Sequence, residues 1–190
     1  MLKDLLIQNR SYRRFDESFE ISGDILMELV ELARLTPSSV NWQPLRYALV
    51  NDKEINKKVF EALAWAGLIK EWNGPCEGER PTAYIVILTD TTVAKNMKTD
   101  VGIVAQTMML GAAEKGLGGC MIGSVNREKV SEILNIDTER YSVDLVLALG
   151  KPVEKVKIVD VPENGCTNYY RDENGVHYVP KRSVEDLIIG

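Results

Sequence analysis

The stretch from residue 101 to residue 113 limits the folds open to this chain more than any other. It reads VGIVAQTMMLGAA and places apolar side chains on almost every face of a helix. A helix without a polar face has to be covered on nearly all sides. Thirteen residues are too few to cross a bilayer, which takes about 20. We therefore expect a long helix, from about Thr92 to Lys115, buried between a sheet and a partner subunit.

Short apolar stretches predict the strands that this helix covers. AYIVIL (83–88) is apolar along its whole length, which is typical of a strand buried on both faces. RYALV (46–50), GGCMIGSV (118–125) and SVDLVLALG (142–150) have the length and β-branched content of further strands. Together these stretches predict one sheet.

Helical periodicity accounts for much of the remaining chain. Ser22 is a suitable N-cap for a helix over 24–35, and Pro37 ends that helix. Further helices are predicted over residues 2–9, 53–68 and 126–134. The sequence also predicts a loop excursion over about 160–180 and a last strand or short helix over 180–189 (PKRSVEDLII). This order predicts a single domain over residues 1–190, a three-layer α+β or α/β domain with one sheet between helices.

Charge and the rare residue types exclude several classes of function. With 28 acidic residues against 23 Lys and Arg, the net charge of -5 argues against nucleic acid or an anionic membrane as a partner. The three cysteines, Cys76, Cys120 and Cys166, are far apart and form no zinc-binding or disulfide pattern. The first residues do not resemble a signal peptide, so we expect a cytoplasmic protein with reduced thiols. His177 is the single histidine, and we expect it to have a surface or loop-packing role rather than a catalytic one.

The glycine-rich stretch EKGLGGCMIG (114–123) invites comparison with a dinucleotide-binding fingerprint. That fingerprint needs a strand before it, a helix after it and a glycine where this chain has Met121. Here a helix precedes the glycines and a strand follows them. The sequence therefore excludes a Rossmann site, and Gly116 is better explained as the left-handed residue that ends the long helix.

Three polar stretches remain as candidate binding elements. QNRSYRRF (8–15) places arginines around a serine, a combination that suits a phosphate but also occurs in solvated turns. TPSSVNWQP (36–44) offers neutral donors and acceptors that suit a planar ligand rich in heteroatoms, or that satisfy the loop's own backbone. Lys181 and Arg182 form a second basic group near the end of the chain.

In combination these stretches resemble the nitroreductase family of FMN-binding flavoproteins. NRSYRRF (9–15) matches the family's opening Arg-Arg-Ser-x-Arg-Lys/Arg-Phe motif, except that Asn9 replaces an arginine. PSSVNWQP (37–44) matches its Pro-Ser-Ser-x-Asn-x-Gln-Pro motif, with the large Trp42 in the loop. AAEKGLGGCMIG (112–123) resembles the family's passage from helix to strand beside the flavin ring. The resemblance runs along almost the whole chain.

The resemblance implies a fold and a set of cofactor-binding residues. The implied fold is α+β: a three-layer nitroreductase-like domain whose central, mostly antiparallel sheet is flanked by helices, with the long buried helix at a dimer interface. The residues implied to hold the FMN phosphate are Arg10, Ser11, Arg13, Arg182 and Lys181. Those implied to contact the flavin from the other subunit are Ser38, Ser39 and Asn41, and those implied to lie along the isoalloxazine are Met121, Ile122 and Gly123.

The implied activity is hydride transfer from NADH or NADPH, through FMN, to a nitroaromatic, a quinone or a similar small acceptor, with ping-pong kinetics. The implied assembly is a homodimer with FMN at its interface. Several alternatives share the predicted features: an enone reductase, a dehalogenating enzyme or a flavin-destroying synthase of the same fold, a flavin-binding protein without turnover, and an unliganded helical adaptor.

Overall fold

The computed structural model describes residues 1–69 and 72–190. Its helices and strands, in chain order, are α1 (Leu2–Gln8), α2 (Gly23–Arg34), β1 (Leu45–Val50), α3 (Lys53–Phe60), β2 (Ala83–Asp90), α4 (Lys98–Glu114), β3 (Gly118–Ile122), α5 (Arg127–Leu134), β4 (Tyr141–Gly150), β5 (Val156–Asp160), β6 (Tyr170–Arg171) and β7 (His177–Lys181). Single 3-10 turns lie at Ser39–Asn41 and Glu185–Leu187.

The central sheet contains four strands in the order β1-β2-β4-β3, and every pairing in it is antiparallel. All eight residues of β2 are buried, as its apolar sequence predicts. A second sheet of three strands has the order β5-β7-β6, with β5 parallel and β6 antiparallel to β7. The central antiparallel sheet and the separate helices confirm the α+β class.

The central sheet lies between two layers of helices because the side chains of β2 alternate between its two faces. Ile85 and Ile87 belong to a buried cluster that includes residues of α2 and α4. Tyr84 and Val86 belong to another, which includes Val59 of α3 and Val130 of α5. The predicted three-layer arrangement is therefore confirmed.

Helix α4 is the apolar helix that the sequence predicts, but it begins at Lys98 rather than near Thr92. It packs closely against α2 at Gly111, where a Cβ atom would lie 2.4 Å from the Cδ1 atom of Leu32. Within this chain Gly102 remains exposed, and the side chains of Ile103, Gln106 and Leu110 remain half-buried. The helix ends as predicted, because Gly116 adopts a left-handed φ of 71°.

Two further predictions differ from the structure. Helix α3 ends at Phe60 rather than Leu68, because the chain turns there and packs the Trp65 ring 5.5 Å from that of Phe60. The segment predicted as a loop excursion contains strands β6 and β7. Strand β5 was not predicted at all, since it is specified by pairing with β7, which lies later in the chain, beyond β6.

The described residues contain no helix long and apolar enough to span a lipid bilayer. Among these residues there is also no group of three or more His, Cys, Asp or Glu side chains that could hold a metal ion. Cys76, Cys120 and Cys166 are free thiols, and of the three only Cys120 is buried.

Candidate functional site

The arginine-rich turn, residues 8–15, lies against the outer edge of β3. Ser11 forms a parallel bridge with Gly119, and the Tyr12 N–H donates to the Gly119 carbonyl at 2.9 Å. Phe15 follows and is fully buried. Because β4 pairs with the other edge of β3, the turn covers the edge that would otherwise be free.

Two glycines of β3 make this arrangement possible. A Cβ atom on Gly119 would lie 2.1 Å from the backbone oxygen of Ala148 on β4. A Cβ atom on Gly118 would lie 2.5 Å from the ring of Tyr12. The glycine pair is therefore explained by close packing on both sides of β3, in agreement with the exclusion of a Rossmann fingerprint.

The first cavity, of about 240 Å³, lies beside this turn and brings together residues from distant parts of the chain. Arg10 and Ser11 come from the turn, and Lys181 comes from the end of β7. The other lining residues are Asn9, Gln106, Met109, Gly119, Met121 and Val179. Two cations and a hydroxyl group therefore meet at one edge of the sheet.

The polar groups of the first cavity suit an anion. Arg10 donates one guanidinium N–H to the Leu6 carbonyl, while its Nε is buried and has no hydrogen-bond partner among the described residues. Within the same part of the chain, neither Arg10 nor Lys181 forms an ion pair with a carboxylate. A guanidinium, an ammonium and a hydroxyl group are the donors that a phosphate group prefers. The residues present therefore fit the phosphate of FMN.

Arg14, the third arginine of the turn, has a structural partner instead. Its Nε donates to Glu79 Oε2 at 2.6 Å, and its Nη2 donates to the other oxygen of the same carboxylate. This hydrogen bonding raises the pKa of Arg14 and lowers that of Glu79. Arg14 therefore anchors the turn to the 76–80 segment and is not available for a ligand.

Arg13 lines a second cavity, of about 130 Å³, and not the first. Its guanidinium carbon lies 5.0 Å from the centroid of the Tyr169 ring, and its Nη1 donates to the Ser11 carbonyl at 3.2 Å. The remaining lining residues are Ala64, Trp65, Ala66, Gly67, Cys120, Met121, Ile122, Gly123 and Ser124. Met121 of β3 lines both cavities, so the two cavities meet at this residue.

Cys120 and His177, two of the titratable groups near Arg13, are poorly suited to proton transfer or nucleophilic attack near neutral pH. Burial raises the pKa of the Cys120 thiol, which therefore stays protonated. Burial, assisted by the positive charges of Arg13 and Arg171, lowers the pKa of His177 to about 4. His177 is only 1% exposed and packs its ring 5.2 Å from that of Tyr169, so its role is packing within the tail segment rather than at the surface.

The proline-bounded loop, residues 36–44, is hydrogen-bonded to Asp100 in the first turn of α4. Ser38 Oγ donates to Asp100 Oδ2 at 2.6 Å, and Ser39 Oγ donates to Asp100 Oδ1 at 2.7 Å. The Ser39 backbone N–H also donates to this carboxylate. Burial alone would raise the pKa of Asp100, but the hydrogen bonds from the two serines outweigh it and lower the pKa.

The backbone of this loop is strained. Val40, Asn41 and Gln43 have positive φ angles of 53°, 56° and 50°. Such angles are costly for residues other than glycine, and most costly for a β-branched residue such as valine. The side chains of Val40 and Trp42 are 80% and 54% exposed, so packing within this chain does not offset the free-energy cost of these backbone angles.

A groove of about 890 Å³ lies beside the loop. Its lining includes Ser38, Trp42, Gln43 and Asp100, together with residues of α2 such as Met27. Among the residues that the structure describes, the groove shares no lining residue with either cavity, so this part of one chain does not join the loop and the arginine-rich turn into a continuous site.

The predicted site residues are therefore distributed over three places. Arg10, Ser11, Met121 and Lys181 surround the first cavity, whereas Arg13, Ile122 and Gly123 line the second with Met121. Ser38 lines the groove and Ser39 is bonded to Asp100, while Asn41 is exposed and accepts from the Gln43 amide. Arg182 is exposed and lines none of these spaces, so the tail contributes Lys181 in its place.

Sequence reasoning missed four residues that shape these spaces: Gln106, Met109, Tyr169 and Asp100. Gln106 is a polar residue in an otherwise apolar helix, and Asp100 is an acid in the first turn of that helix, so both carried a signal. No feature of the sequence marked Tyr169, because the fold of the tail is what brings it into contact with Arg13.

Comparison with known proteins places this geometry in context. A family model described as "Nitroreductase family" matches residues 6–74 and 79–151. An oxygen-insensitive NADPH nitroreductase of Helicobacter acinonychis (strain Sheeba) is 26% identical to this chain in an alignment of length 185. The match covers 80% of this chain and 88% of the relative.

Solved structures share the fold at lower identity. A nitroreductase family protein from Streptococcus pneumoniae TIGR4 has a TM-score of 0.72 and 19% identity, with 100% of both chains covered. A structure from Exiguobacterium sibiricum 255-15, described as a nitroreductase in complex with FMN, has a TM-score of 0.69 and 21% identity, with 86% of this chain and 94% of that chain covered.

Proposed function

The chain belongs to the nitroreductase family, and from this premise we propose that it is an FMN-dependent oxidoreductase. The reaction would transfer hydride from NADH or NADPH to a nitroaromatic, a quinone or a similar small acceptor. The observation that carries the proposal is the meeting of Arg10, Ser11 and Lys181 at one cavity beside β3. A relative named as an NADPH nitroreductase and a similar fold described with FMN bound support the same assignment.

Arg10, Ser11 and Lys181 would hold the phosphate of FMN. Each hydrogen bond to a charged group contributes about 1.5–3 kcal/mol, and the unpartnered Nε of Arg10 is a donor available for one. Because Lys181 stands at the end of β7, binding of the phosphate would also join the tail to the turn at residues 10–11.

Met121, Ile122 and Gly123 would lie along the flavin ring, and we assign Arg13 to the ring rather than to the phosphate. The reason is that Arg13 lines the second cavity together with these three residues. A cation at this position would favour negative charge on the nearby part of the ring, by the same physical logic as an oxyanion hole.

Hydride transfer between a nicotinamide and an acceptor is the chemistry that FMN supplies when bound. The chain would provide binding, orientation and charge, since Cys120 is a protonated, buried thiol and His177 is neutral near pH 7. The nicotinamide and the acceptor would use the same space beside Met121 in turn, which gives ping-pong kinetics.

We further propose a homodimer in which a partner copy completes each site. The first and second cavities, about 240 and 130 Å³, are each smaller than the roughly 300–1,000 Å³ typical of ligand pockets. The exposed Val40 and Trp42, and the half-buried stripe on α4 at Ile103, Gln106 and Leu110, offer surface that a partner copy could cover. The free thiols agree with a cytoplasmic location.

The test is a flavin titration followed by anaerobic turnover. The purified protein should bind one FMN per chain, lose its yellow colour when NADH or NADPH is added without oxygen, and regain it when a nitroaromatic or a quinone is added. Steady-state rates at several acceptor concentrations should give parallel double-reciprocal lines. Failure to bind FMN would contradict the cofactor assignment, and bound FMN that neither nicotinamide bleaches would indicate a flavin-binding protein without turnover.

A further inference from the structure

Asp100 is a buried carboxylate with neutral partners only. It is 2% exposed, and among the described residues it forms no ion pair. Its oxygens accept from both serine hydroxyls and from the Ser39 N–H. A buried charge has to be satisfied in this way, so the loop cannot release Asp100 without a substantial cost.

The hydrogen bonds to Asp100 fix the direction in which each serine hydroxyl points. An ionised carboxylate can only accept, so the hydrogen atoms of Ser38 Oγ and Ser39 Oγ are both committed to it. Ser38 Oγ also accepts from the Gln43 N–H at 3.0 Å, which leaves it one lone pair. Ser39 is exposed, and no group of the described residues donates to its Oγ, so both lone pairs of that oxygen remain free. Toward any ligand, therefore, these hydroxyls can accept hydrogen bonds but not donate them.

We propose that Asp100 is a positioning residue that makes the loop at residues 38–39 a hydrogen-bond acceptor for the flavin. The inference rests on the proposed function. The matching groups of a flavin are donors, namely the ring N–H and the hydroxyl groups of the ribityl chain, and not the ring carbonyl oxygens. Asp100 also holds the strained backbone at Val40, Asn41 and Gln43 in place, because it anchors the loop immediately before them.

The test uses Asp100→Asn in the full chain, with FMN and riboflavin as probes. An asparagine keeps one acceptor but presents a donor on its other side, so one serine hydroxyl has to reverse and turn its hydrogen toward the ligand. We expect the Kd values for FMN and riboflavin to rise by the same factor, about tenfold, because the loop does not contact the phosphate. Asp144→Asn is the matched control, because the Asp144 carboxylate also accepts a hydrogen bond from a hydroxyl group, that of Thr89, at 2.6 Å. Asp144 lines neither cavity nor the groove, so this variant should leave both Kd values unchanged.

A double-mutant cycle separates positioning from general loosening of the fold. If Asp100 acts through the two serine hydroxyls, then Asp100→Asn in a background that carries Ser38→Ala and Ser39→Ala should change the Kd less than twofold further, whereas additive effects would overturn the proposal. If Asp100→Asn does not fold, the double variant with Ser38→Ala and Ser39→Ala decides, because an unchanged affinity for both probes would equally overturn the proposal. Wild-type protein that binds neither probe would instead refute the proposed function, and the inference with it.

Discussion

The guanidinium carbon of Arg13 lies 5.0 Å from the centroid of the Tyr169 ring. This contact joins the turn that follows the first helix to a segment near the other end of the chain. The His177 ring packs against the same tyrosine, with its centroid 5.2 Å from that of the Tyr169 ring. The carboxylate of the buried Glu154 accepts a hydrogen bond from the Arg13 backbone N–H. The position of Arg13 in the second cavity therefore depends on the fold of the tail.

Replacing Tyr169 should show whether its ring holds this contact. We expect Tyr169→Ala to lower the free energy of unfolding by about 1–3 kcal/mol, through lost burial and a lost cation–π contact. Tyr169→Phe should cost much less, because the ring remains. Denaturant titration measures both values. A phenylalanine variant as unstable as the alanine variant would show that the hydroxyl group matters more than the ring.

Arg10 and Arg13 should have separable effects on flavin binding. Arg10→Ala should weaken FMN binding by about 10- to 100-fold, the loss expected for one charged hydrogen bond, and leave riboflavin binding almost unchanged. Arg13→Ala should weaken FMN and riboflavin by equal factors, since we assign it to the ring. Quenching of flavin fluorescence measures all four affinities. An Arg13→Ala variant that loses affinity for FMN alone would return Arg13 to the phosphate.

The neighbouring cations Lys181 and Arg182 form a matched pair. Lys181 lines the first cavity, whereas Arg182 is exposed and lines none of the three spaces. We therefore expect Lys181→Ala to raise the Kd for FMN by roughly tenfold and Arg182→Ala to raise it less than threefold. Isothermal titration at moderate ionic strength reduces the general effect of net charge. The reverse ranking would mean that the tail rearranges when FMN binds.

His177 should make the protein less stable in acid. Its pKa is lowered to about 4 in the folded state, whereas the unfolded side chain has a pKa near 6.5. Between these values the unfolded chain binds a proton that the folded chain does not, so the free energy of unfolding falls as the pH drops from about 6.5 to 4. The full difference corresponds to about 3 kcal/mol. His177→Phe should remove this part of the pH dependence in chemical denaturation, and a profile parallel to that of the wild type would contradict the assignment.

Two glycines at the site should respond differently to substitution. At Gly119 a Cβ atom would lie 2.1 Å from the backbone oxygen of Ala148, which cannot move without separating β3 from β4. We expect Gly119→Ala to lower the free energy of unfolding by about 3 kcal/mol or more. At Gly123 no atom of residues 1–69 or 72–190 lies within 4 Å of an added Cβ, so Gly123→Ala should change the free energy of unfolding by less than about 0.5 kcal/mol. Thermal unfolding of the two variants checks the contrast.

Much of the fold could be read from local patterns in the chain. Helix α2 begins at the predicted cap, where Ser22 Oγ accepts from the Ile25 N–H, and the apolar run at 83–88 is the fully buried β2. The long helix is largely buried, and the left-handed Gly116 follows its C-terminus, as expected. Periodicity and caps are local properties, and here local preference and tertiary burial agree.

Boundaries and late strands were less predictable. The amphipathic pattern beyond Phe60 predicted more helix than α3 contains, and β5 was missed. Strand β5 has only five residues and is stabilised by pairing with β7, which lies later in the chain, beyond β6. A short strand of this kind depends on contacts that no local window contains.

The residues of the candidate site follow the same division. The order of residues along the chain was enough to identify a family resemblance and a set of cationic and hydroxyl groups suited to a bound phosphate. Only the folded chain distinguishes the three arginines of one short turn: Arg10 lines the first cavity with Lys181, Arg13 packs on Tyr169, and Arg14 is paired with Glu79. The reason is physical. The three side chains are neighbours in sequence, but the group that each one meets, Lys181, Tyr169 or Glu79, is brought to it by the fold from a distant part of the chain.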